Sequence, residues 1–153
     1  MLWILIMIFL ILLMTKNEYV EIAKTKEEFV SKLMPLVSKY DIDPKIVIAV
    51  SALETAWGKR VVGNNLFNIK GSGVRVLTTE YKNGIPVKIY ASFKTYPSIQ
   101  DSVDEFIRLI QKKYPDAWKK RKRPYEFFFE LWKGGYATDP RYFEKLKKVY
   151  ESI

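Results

Sequence analysis

The sequence predicts a mostly helical α+β domain that carries one β-hairpin. Apolar residues recur at helical spacing on both sides of the hairpin, and capping patterns mark where several of these helices begin. Residues 74–81 and 85–93 have the composition of strands, and the Lys-Asn-Gly segment between them is typical of a tight turn. At 153 residues the chain is long enough for one domain with a core.

Two helices are predicted before the hairpin. The first follows the sequence Thr-Lys-Glu-Glu at residues 25–28, which matches a capping box, and Pro35 is expected to kink or split it. The second begins with Asp43 as its N-cap and Pro44 at its first position, and we expect it to stop at Gly58.

Three helices are predicted after the hairpin. One spans residues 97–110 and begins with a capping box of Ser98 and Asp101. A short aromatic helix at residues 123–135 ends at two glycines. The last helix is expected to be capped by Asp139, which Pro140 follows. Residues 61–73, rich in glycine and asparagine, are predicted to form a loop.

The N-terminus is apolar at every position from Leu2 to Met14. A helix of this run would be roughly 20 Å long, short of a bilayer core of ~30 Å. No basic residue precedes the run and no typical cleavage site follows it. Because no polar face interrupts it, we favour a signal or anchor segment at residues 1–15, followed by the folded domain at 16–153, over a buried helix.

The composition excludes several kinds of chemistry. The chain contains neither histidine nor cysteine, so Ser-His-Asp triads, thiol nucleophiles and Cys/His zinc sites are impossible. General acid and base roles therefore fall to Glu, Asp, Lys or Tyr. The formal net charge of +9 favours polyanionic partners such as nucleic acid, anionic lipid or an anionic wall polymer.

Two glutamates are candidates for such chemistry. On a helical wheel Glu54 falls at the edge of the buried stripe, where lost hydration raises the pKa of a carboxyl group. Position alone favours an ordinary ion pair for Glu54. Glu80 shares one face of the first hairpin strand with Thr78, and its alternative is a solvated hairpin residue. Two carboxylates facing across a cleft are the minimal set for glycoside hydrolysis.

Several blocks of sequence resemble one known family. SALETAWGK, NNLFNIKG, TTEY, ASFKTYPSIQDSV and GYATDP-x-Y occur in this order between about residues 29 and 146. They resemble the bacterial cell-wall endo-β-N-acetylglucosaminidases of glycoside hydrolase family 73. The resemblance implies a lysozyme-like helical fold with a small β-lobe across a substrate groove. It also implies cleavage of the β-1,4 bond after N-acetylglucosamine in peptidoglycan, without a metal or cofactor.

The resemblance also implies roles for individual residues. Glu54 corresponds to the proton donor, Glu80 to the proposed second carboxylate, and Tyr136 to a groove residue close to the cleavage site. For Tyr136 a place in the core is the alternative. The block that borders the sugar groove contributes four candidate substrate-binding residues: Asn65, Phe67, Asn68 and Lys70. Direct attack by water, a covalent intermediate and assistance by the substrate's acetamido group all remain open as mechanisms.

The resulting hypothesis is a monomeric peptidoglycan glycosidase that acts outside the cytoplasmic membrane, with a possible membrane tether through Leu2 to Met14. A lytic transglycosylase of the same fold would need one glutamate, and a non-catalytic glycan-binding module would need neither. A nucleic-acid-binding protein is disfavoured because the basic residues are scattered, apart from residues 119–123. We therefore expect peptidoglycan strands as the partner and no nucleic acid.

Overall fold

The computed structural model describes residues 1–7 and 19–153. Residues 2–7 are helical, and residues 19–153 form four strands and six helices. The strands are β1 (Tyr19–Val20), β2 (Val61–Val62), β3 (Gly73–Lys82) and β4 (Ile85–Lys94). The helices are α1 (Lys26–Val37), α2 (Pro44–Thr55), α3 (Ile99–Lys113), α4 (Pro115–Lys119), α5 (Pro124–Lys133) and α6 (Tyr142–Glu151). The predicted mostly helical α+β class is confirmed.

Helix α2 is the centre of the hydrophobic core. Every residue from Ile46 to Ala52 is buried, and α2 packs against both α1 and α6. A helix buried on all sides needs apolar or small residues around its whole circumference, which the sequence of α2 provides. The core around it includes large side chains from four other helices: Phe29, Leu33, Phe106, Phe127, Leu131 and Leu146.

The predicted start of α1 is confirmed, and Pro35 does not split the helix. Thr25 Oγ1 accepts a hydrogen bond from the Glu28 backbone amide, and the Glu28 carboxylate accepts one from the Lys24 amide. Helix α1 runs through Pro35 to Val37 without being split. Pro35 lies in the last turn, so only one backbone hydrogen bond is lost, and Ser38 still bonds to the Met34 carbonyl.

Helix α2 ends three residues earlier than predicted. Asp43 caps its beginning by accepting a hydrogen bond from the Lys45 amide, as expected. Its end lies at Thr55, because Ala56, Trp57 and Gly58 all adopt left-handed backbone conformations with φ of 51°, 59° and 80°. The chain therefore turns sharply at Ala56, two residues after Glu54.

The hairpin forms as predicted. Strands β3 and β4 pair antiparallel from Gly73 opposite Lys94 to Lys82 opposite Ile85. Asn83 and Gly84 make the two-residue turn, both with positive φ as a type I′ turn requires. A second, two-stranded sheet of β1 and β2 was not predicted. It pairs the segment before α1 with the loop after α2.

The three helices predicted after the hairpin are all present, but the last one has a different N-cap residue from the one predicted. Ser98 caps α3 by accepting from the Asp101 amide, as predicted. Asp139 does not cap α6, which begins at Tyr142 with Arg141 as its N-cap. Asp139 instead closes a turn before the helix, where its carboxylate accepts from the Arg141 amide. The short helix α4 was not predicted.

The N-terminal segment is only partly described. Residues 2–7 expose large apolar side chains, including Trp3 at 82% and Leu2 at 70%. The rest of the predicted signal or anchor segment lies outside the described residues. In residues 1–7 and 19–153 no helix has the length and apolar character needed to cross a membrane.

Candidate active site

An open groove of about 690 Å³ lies between the hairpin and the helical body. The end of α2 contributes Glu54, and the loop after it contributes residues 67–70. Strand β3 contributes residues 78–81 from the other side. Residues 135–139 and Tyr142 also line the groove. The groove thus brings together the two glutamates that the sequence singled out.

Glu54 is held by hydrogen bonds to both oxygens of its carboxyl group. The Tyr142 hydroxyl donates to Oε1 at 2.8 Å, and the Asn68 side-chain amide donates to Oε2 at 3.0 Å. Desolvation dominates the electrostatics here and raises the pKa of Glu54 to about 7, although both hydrogen bonds act in the opposite direction. The expectation of a raised pKa is thus met, and the carboxyl group carries a proton in much of the population near neutral pH.

Charged neighbours modify this pKa in opposite directions. The Glu80 carboxylate raises the pKa of Glu54, and the Lys70 ammonium lowers it. Both contributions are smaller than desolvation and than the two hydrogen bonds. Within residues 1–7 and 19–153, Glu54 is therefore not in an ordinary ion pair, which was the alternative that position alone favoured.

Glu80 lies on β3 in a different environment. Lys70 Nζ is 2.6 Å from its Oε1, and the Thr138 hydroxyl donates to its Oε2 at 2.6 Å. Partial burial favours the protonated form, but these two partners outweigh it, so the pKa of Glu80 is below its ordinary value. Near neutral pH the groove thus combines a carboxyl group that can hold a proton with a carboxylate that is ionised.

Tyr136 lies between the groove and the core. It lines the groove, its hydroxyl donates to the Phe67 carbonyl at 2.9 Å, and its ring packs edge-on against Phe106 and Tyr114. Desolvation and the nearby Glu54 charge raise the pKa of Tyr136 well above its ordinary value. Tyr136 therefore stays protonated and belongs both to the groove wall and to the aromatic core, which were the two sequence-based alternatives.

The four candidate substrate-binding residues have different positions. Phe67, Asn68 and Lys70 line the groove, although the Phe67 ring is buried and stacks on Phe106 with ring centres 4.1 Å apart. Asn65 is fully buried and lies outside the groove lining. Its side-chain amide donates to the carbonyls of Ile69 and Lys94, and its oxygen accepts from two loop amides. Asn65 therefore stabilises the loop through hydrogen bonds from its buried side.

Sequence reasoning assigned no role to two groove residues that hydrogen-bond to the candidate glutamates. Tyr142 contacts Glu54, and Thr138 joins Glu80 to the Tyr81 backbone amide, from which its hydroxyl accepts at 2.9 Å. Both belong to the GYATDP-x-Y block, which was the signal that pointed to them. Three more charged residues line the groove: Lys113, Asp139 and Lys145.

Solved structures with a similar fold include cell-wall enzymes. A mutant form of the peptidoglycan hydrolase from Sphingomonas sp. A1 superposes with a TM-score of 0.73 and 30% sequence identity, covering 82% of this chain and 92% of that one. The catalytic domain of the autolysin Auto from Listeria monocytogenes superposes with a TM-score of 0.64 and 30% identity, covering 86% and 87%. The lysozyme-like fold implied by the sequence agrees with these neighbours.

Sequence relatives give the same assignment. The peptidoglycan hydrolase FlgJ of Pseudomonas aeruginosa is 34% identical over 142 residues, or 80% of this chain. The exo-glucosaminidase LytG of Bacillus subtilis is 32% identical over 166 residues, or 92% of this chain. The chain spans only 36% and 58% of the lengths of these two relatives.

A family-level comparison covers most of the domain. Residues 31–153 match the glucosaminidase family, described as mannosyl-glycoprotein endo-beta-N-acetylglucosaminidase. The match includes every block on which the sequence resemblance was based and all the groove residues. The resemblance is therefore confirmed, and the chain belongs to the glucosaminidase family of glycoside hydrolases.

Proposed function

We propose that this chain hydrolyses the β-1,4 bond after N-acetylglucosamine in bacterial peptidoglycan. The observation that carries the proposal is the Glu54 carboxyl group, which lines the groove with a pKa of about 7. A general acid needs a pKa near the working pH, so that it is protonated before the reaction and releases the proton during it. The names of the relatives, peptidoglycan hydrolases and a glucosaminidase, supply the substrate class.

In the proposed reaction Glu54 donates its proton to the glycosidic oxygen as the bond to the anomeric carbon breaks. The ionised Glu80 stabilises the positive charge that develops on the sugar, or takes a proton from the attacking water. Water supplies the hydroxyl group to the anomeric carbon, and its remaining proton restores Glu54, directly or through Glu80. Each turnover thus consumes one water and leaves both glutamates unchanged.

The remaining groove residues are proposed to bind the glycan. Asn68 and Lys70 present polar groups at the groove, and Phe67 and Tyr136 contribute its aromatic wall. We assign Asn65 an indirect role, because its amide is fully engaged with the backbone that carries these residues. Tyr136 acts through its position beside the cleavage site, since its hydroxyl already donates to the Phe67 carbonyl.

The test of the proposed function is mass spectrometry of purified peptidoglycan after digestion by the full chain. We expect new reducing N-acetylglucosamine ends from the wild type and none from Glu54→Gln. Glu126→Gln is the matched control, because Glu126 on α5 pairs with Lys120 and does not line the groove. Residual cleavage by Glu80→Gln would favour assistance by the substrate's acetamido group over an essential base.

Three other outcomes would change the proposal. Anhydro-muramic ends would identify a lytic transglycosylase, which uses an internal sugar hydroxyl in place of water. Intact glycan after incubation with a folded wild-type protein would leave a glycan-binding module as the better explanation. Retained cleavage by Glu54→Gln would remove Glu54 from the mechanism.

We also propose that the domain acts outside the cytoplasmic membrane and that residues 1–15 serve as its signal or anchor. The substrate class requires the location. The exposed apolar side chains of residues 2–7, which do not pack into the domain core, support the anchor. Flotation of the full chain with lipid vesicles, and no flotation of residues 16–153, is the expected result.

A further inference from the structure

Tyr142 occupies the first position of α6 and is 96% buried, with 4% of its surface exposed. Its hydroxyl donates to Glu54 Oε1 at 2.8 Å, and its ring lies 6.1 Å from the Tyr136 ring. Desolvation and the Glu54 charge raise the pKa of Tyr142 well above its ordinary value. The hydroxyl therefore keeps its proton near neutral pH and can donate it in a hydrogen bond.

The second partner of Glu54 can act only as a donor. Asn68 Nδ2 donates both to Glu54 Oε2 and to the Glu54 backbone carbonyl, at 3.0 and 2.9 Å. If the amide were turned over, its oxygen would face that carbonyl, and two acceptors would be in contact. One oxygen of the carboxyl group is thus committed to Asn68, so the orientation of the group depends on what holds the other oxygen.

We propose that Tyr142 is a positioning residue for Glu54, which fixes the direction of the carboxyl group and hydrogen-bonds to the carboxylate that proton transfer leaves behind. The inference rests on the proposed role of Glu54 as general acid. A hydrogen bond to a carboxylate is stronger than one to a neutral carboxyl group. Tyr142 therefore stabilises the transition state, in which the charge develops, more than the ground state.

Burial of Glu54 makes the hydrogen bond from Tyr142 important. Desolvation disfavours the charge that Glu54 acquires, and Glu80 opposes it further, whereas Lys70 supports it from the loop. Tyr136 faces the same carboxyl group from residues 135–139 but donates its hydroxyl to the Phe67 carbonyl. Among the described residues, Tyr142 and Asn68 are the two side chains that donate directly to Glu54.

Helix α6 offers a matched control for Tyr142. The Tyr150 hydroxyl, near the other end of α6, donates to Asp43 Oδ2 at 2.8 Å. Asp43 is the N-cap of α2, and Glu54 lies in its last turn. Two tyrosine–carboxylate bonds of equal length therefore join α6 to the two ends of α2, and only one of them reaches the groove. Any structural loss common to both bonds should appear in Tyr150→Phe.

The experiment compares the full chain with Tyr142→Phe and Tyr150→Phe. The pH dependence of peptidoglycan cleavage is measured for each, and the Glu54 carboxyl carbon is titrated by ¹³C NMR. In Tyr142→Phe we expect the alkaline limb of the rate profile and the Glu54 titration to move up together by about one to two pH units. We also expect the rate at the wild-type optimum to fall roughly ten- to hundredfold. Tyr150→Phe should leave the profile and the titration unchanged.

The outcomes separate this inference from the proposed function. Suppose that Glu54→Gln is inactive, but that Tyr142→Phe and Tyr150→Phe have the same pH profile and the same Glu54 titration. Tyr142 then has only a structural role, and the inference is overturned. If Glu54→Gln still cleaves peptidoglycan, the proposed role of Glu54 as general acid fails first, and the inference about Tyr142 fails with it. Thermal unfolding of both tyrosine variants shows whether a lost rate reflects lost fold, and an equal loss of stability with unequal pH profiles supports the positioning role.

Discussion

The side-chain amide of Asn68 donates hydrogen bonds to two atoms of Glu54, its backbone oxygen at 2.9 Å and its carboxylate Oε2 at 3.0 Å. The backbone oxygen is one of the last carbonyls of α2, which have no partner within the helix. A single loop residue therefore satisfies the end of the helix and orients the candidate acid. Asn68 itself has a left-handed backbone with φ of 51°, a conformation that asparagine tolerates better than most residues.

Replacing Asn68 should separate its backbone role from its side-chain role. Asn68→Gly and Asn68→Ala both remove the two hydrogen bonds, so both should raise the pKa of Glu54 and reduce cleavage near neutral pH. Alanine is disfavoured at positive φ, so we expect Asn68→Ala to be about 1 kcal/mol less stable than Asn68→Gly. Urea unfolding and the pH dependence of cleavage measure the two effects. Equal stabilities would mean that the backbone at residue 68 relaxes.

The rate of cleavage should have a bell-shaped pH dependence, with the alkaline limb set by Glu54 and the acidic limb by Glu80. In the proposed reaction Glu54 must be protonated, so the rate should fall as the pH rises through about 7. The proposed role of Glu80 requires its ionised form and its pKa is lowered, so the acidic limb should lie below 4.5, the ordinary pKa of a glutamate. Lys70 lowers the pKa of both groups, and Lys70→Met should therefore move both limbs to higher pH.

The Lys70→Met test needs a control for lost surface charge. Lys88 on β4 is exposed and does not line the groove, so Lys88→Met removes the same charge from the hairpin without touching either glutamate. The bell should be unchanged in Lys88→Met. The Lys70 side chain is 58% exposed, so salt should weaken its effect, and the movement of the limbs should be smaller at high ionic strength. If both limbs moved by the same amount in Lys70→Met and Lys88→Met, the movement would be due to the change in net charge.

Glu54 should make the protein less stable as the pH rises. Its pKa is about 7 in the folded chain, against an ordinary value of 4.5. The folded state therefore binds the proton more tightly, and stability is lost between about pH 4.5 and 7. By linkage the loss is on the order of 3 kcal/mol. Glu54→Gln removes this dependence, so it should be more stable than the wild type above pH 7 and similar to it near pH 4.5. Urea unfolding of both proteins at three pH values measures the difference. If the free energies of unfolding of the wild type and Glu54→Gln changed with pH in parallel, Glu54 would be solvated.

Local patterns were sufficient to predict much of the fold. The hairpin turn follows from Asn83 and Gly84, and the start of α3 from Ser98, because both depend on residues adjacent in sequence. The partly buried position of Glu54 followed from the helical wheel. Contacts between distant residues were not accessible in this way. Tyr142 is 88 residues from Glu54, and only the packing of α6 on α2 brings them together.

The end of α2 shows why a helix boundary can also escape prediction. Ala56 and Trp57 adopt a conformation that residues with a Cβ disfavour, so nothing in their identity indicates that the helix stops before them. Tertiary contacts fix the turn. The Trp57 ring packs edge-on against Phe29 at 6.1 Å, and the Ile22 amide donates to the Gly58 carbonyl at 2.8 Å. Asn65 was likewise expected at the groove, whereas its buried amide supports the loop.

Two glycines with similar backbone angles should respond differently to alanine. Gly58 has φ of 80° and Gly84 has φ of 77°, so Gly58→Ala and Gly84→Ala share a conformational cost of about 1 kcal/mol. A Cβ at Gly84 would meet no atom within 4 Å, whereas one at Gly58 would lie 2.7 Å from Phe29 Cδ2 and 2.9 Å from Ile22 Cγ1. Overpacking of this kind adds about 1–3 kcal/mol.

We therefore expect Gly58→Ala to be about 1–3 kcal/mol less stable than Gly84→Ala in urea unfolding. The turn at residues 56–58 directly follows the helix end that carries Glu54, so Gly58→Ala should also reduce peptidoglycan cleavage at temperatures where it remains folded. Gly84→Ala, at the hairpin tip, should retain most of the cleavage. Equal stabilities would show that Phe29 can move aside, and normal cleavage by a destabilised Gly58→Ala would show that the turn supports the fold without positioning Glu54.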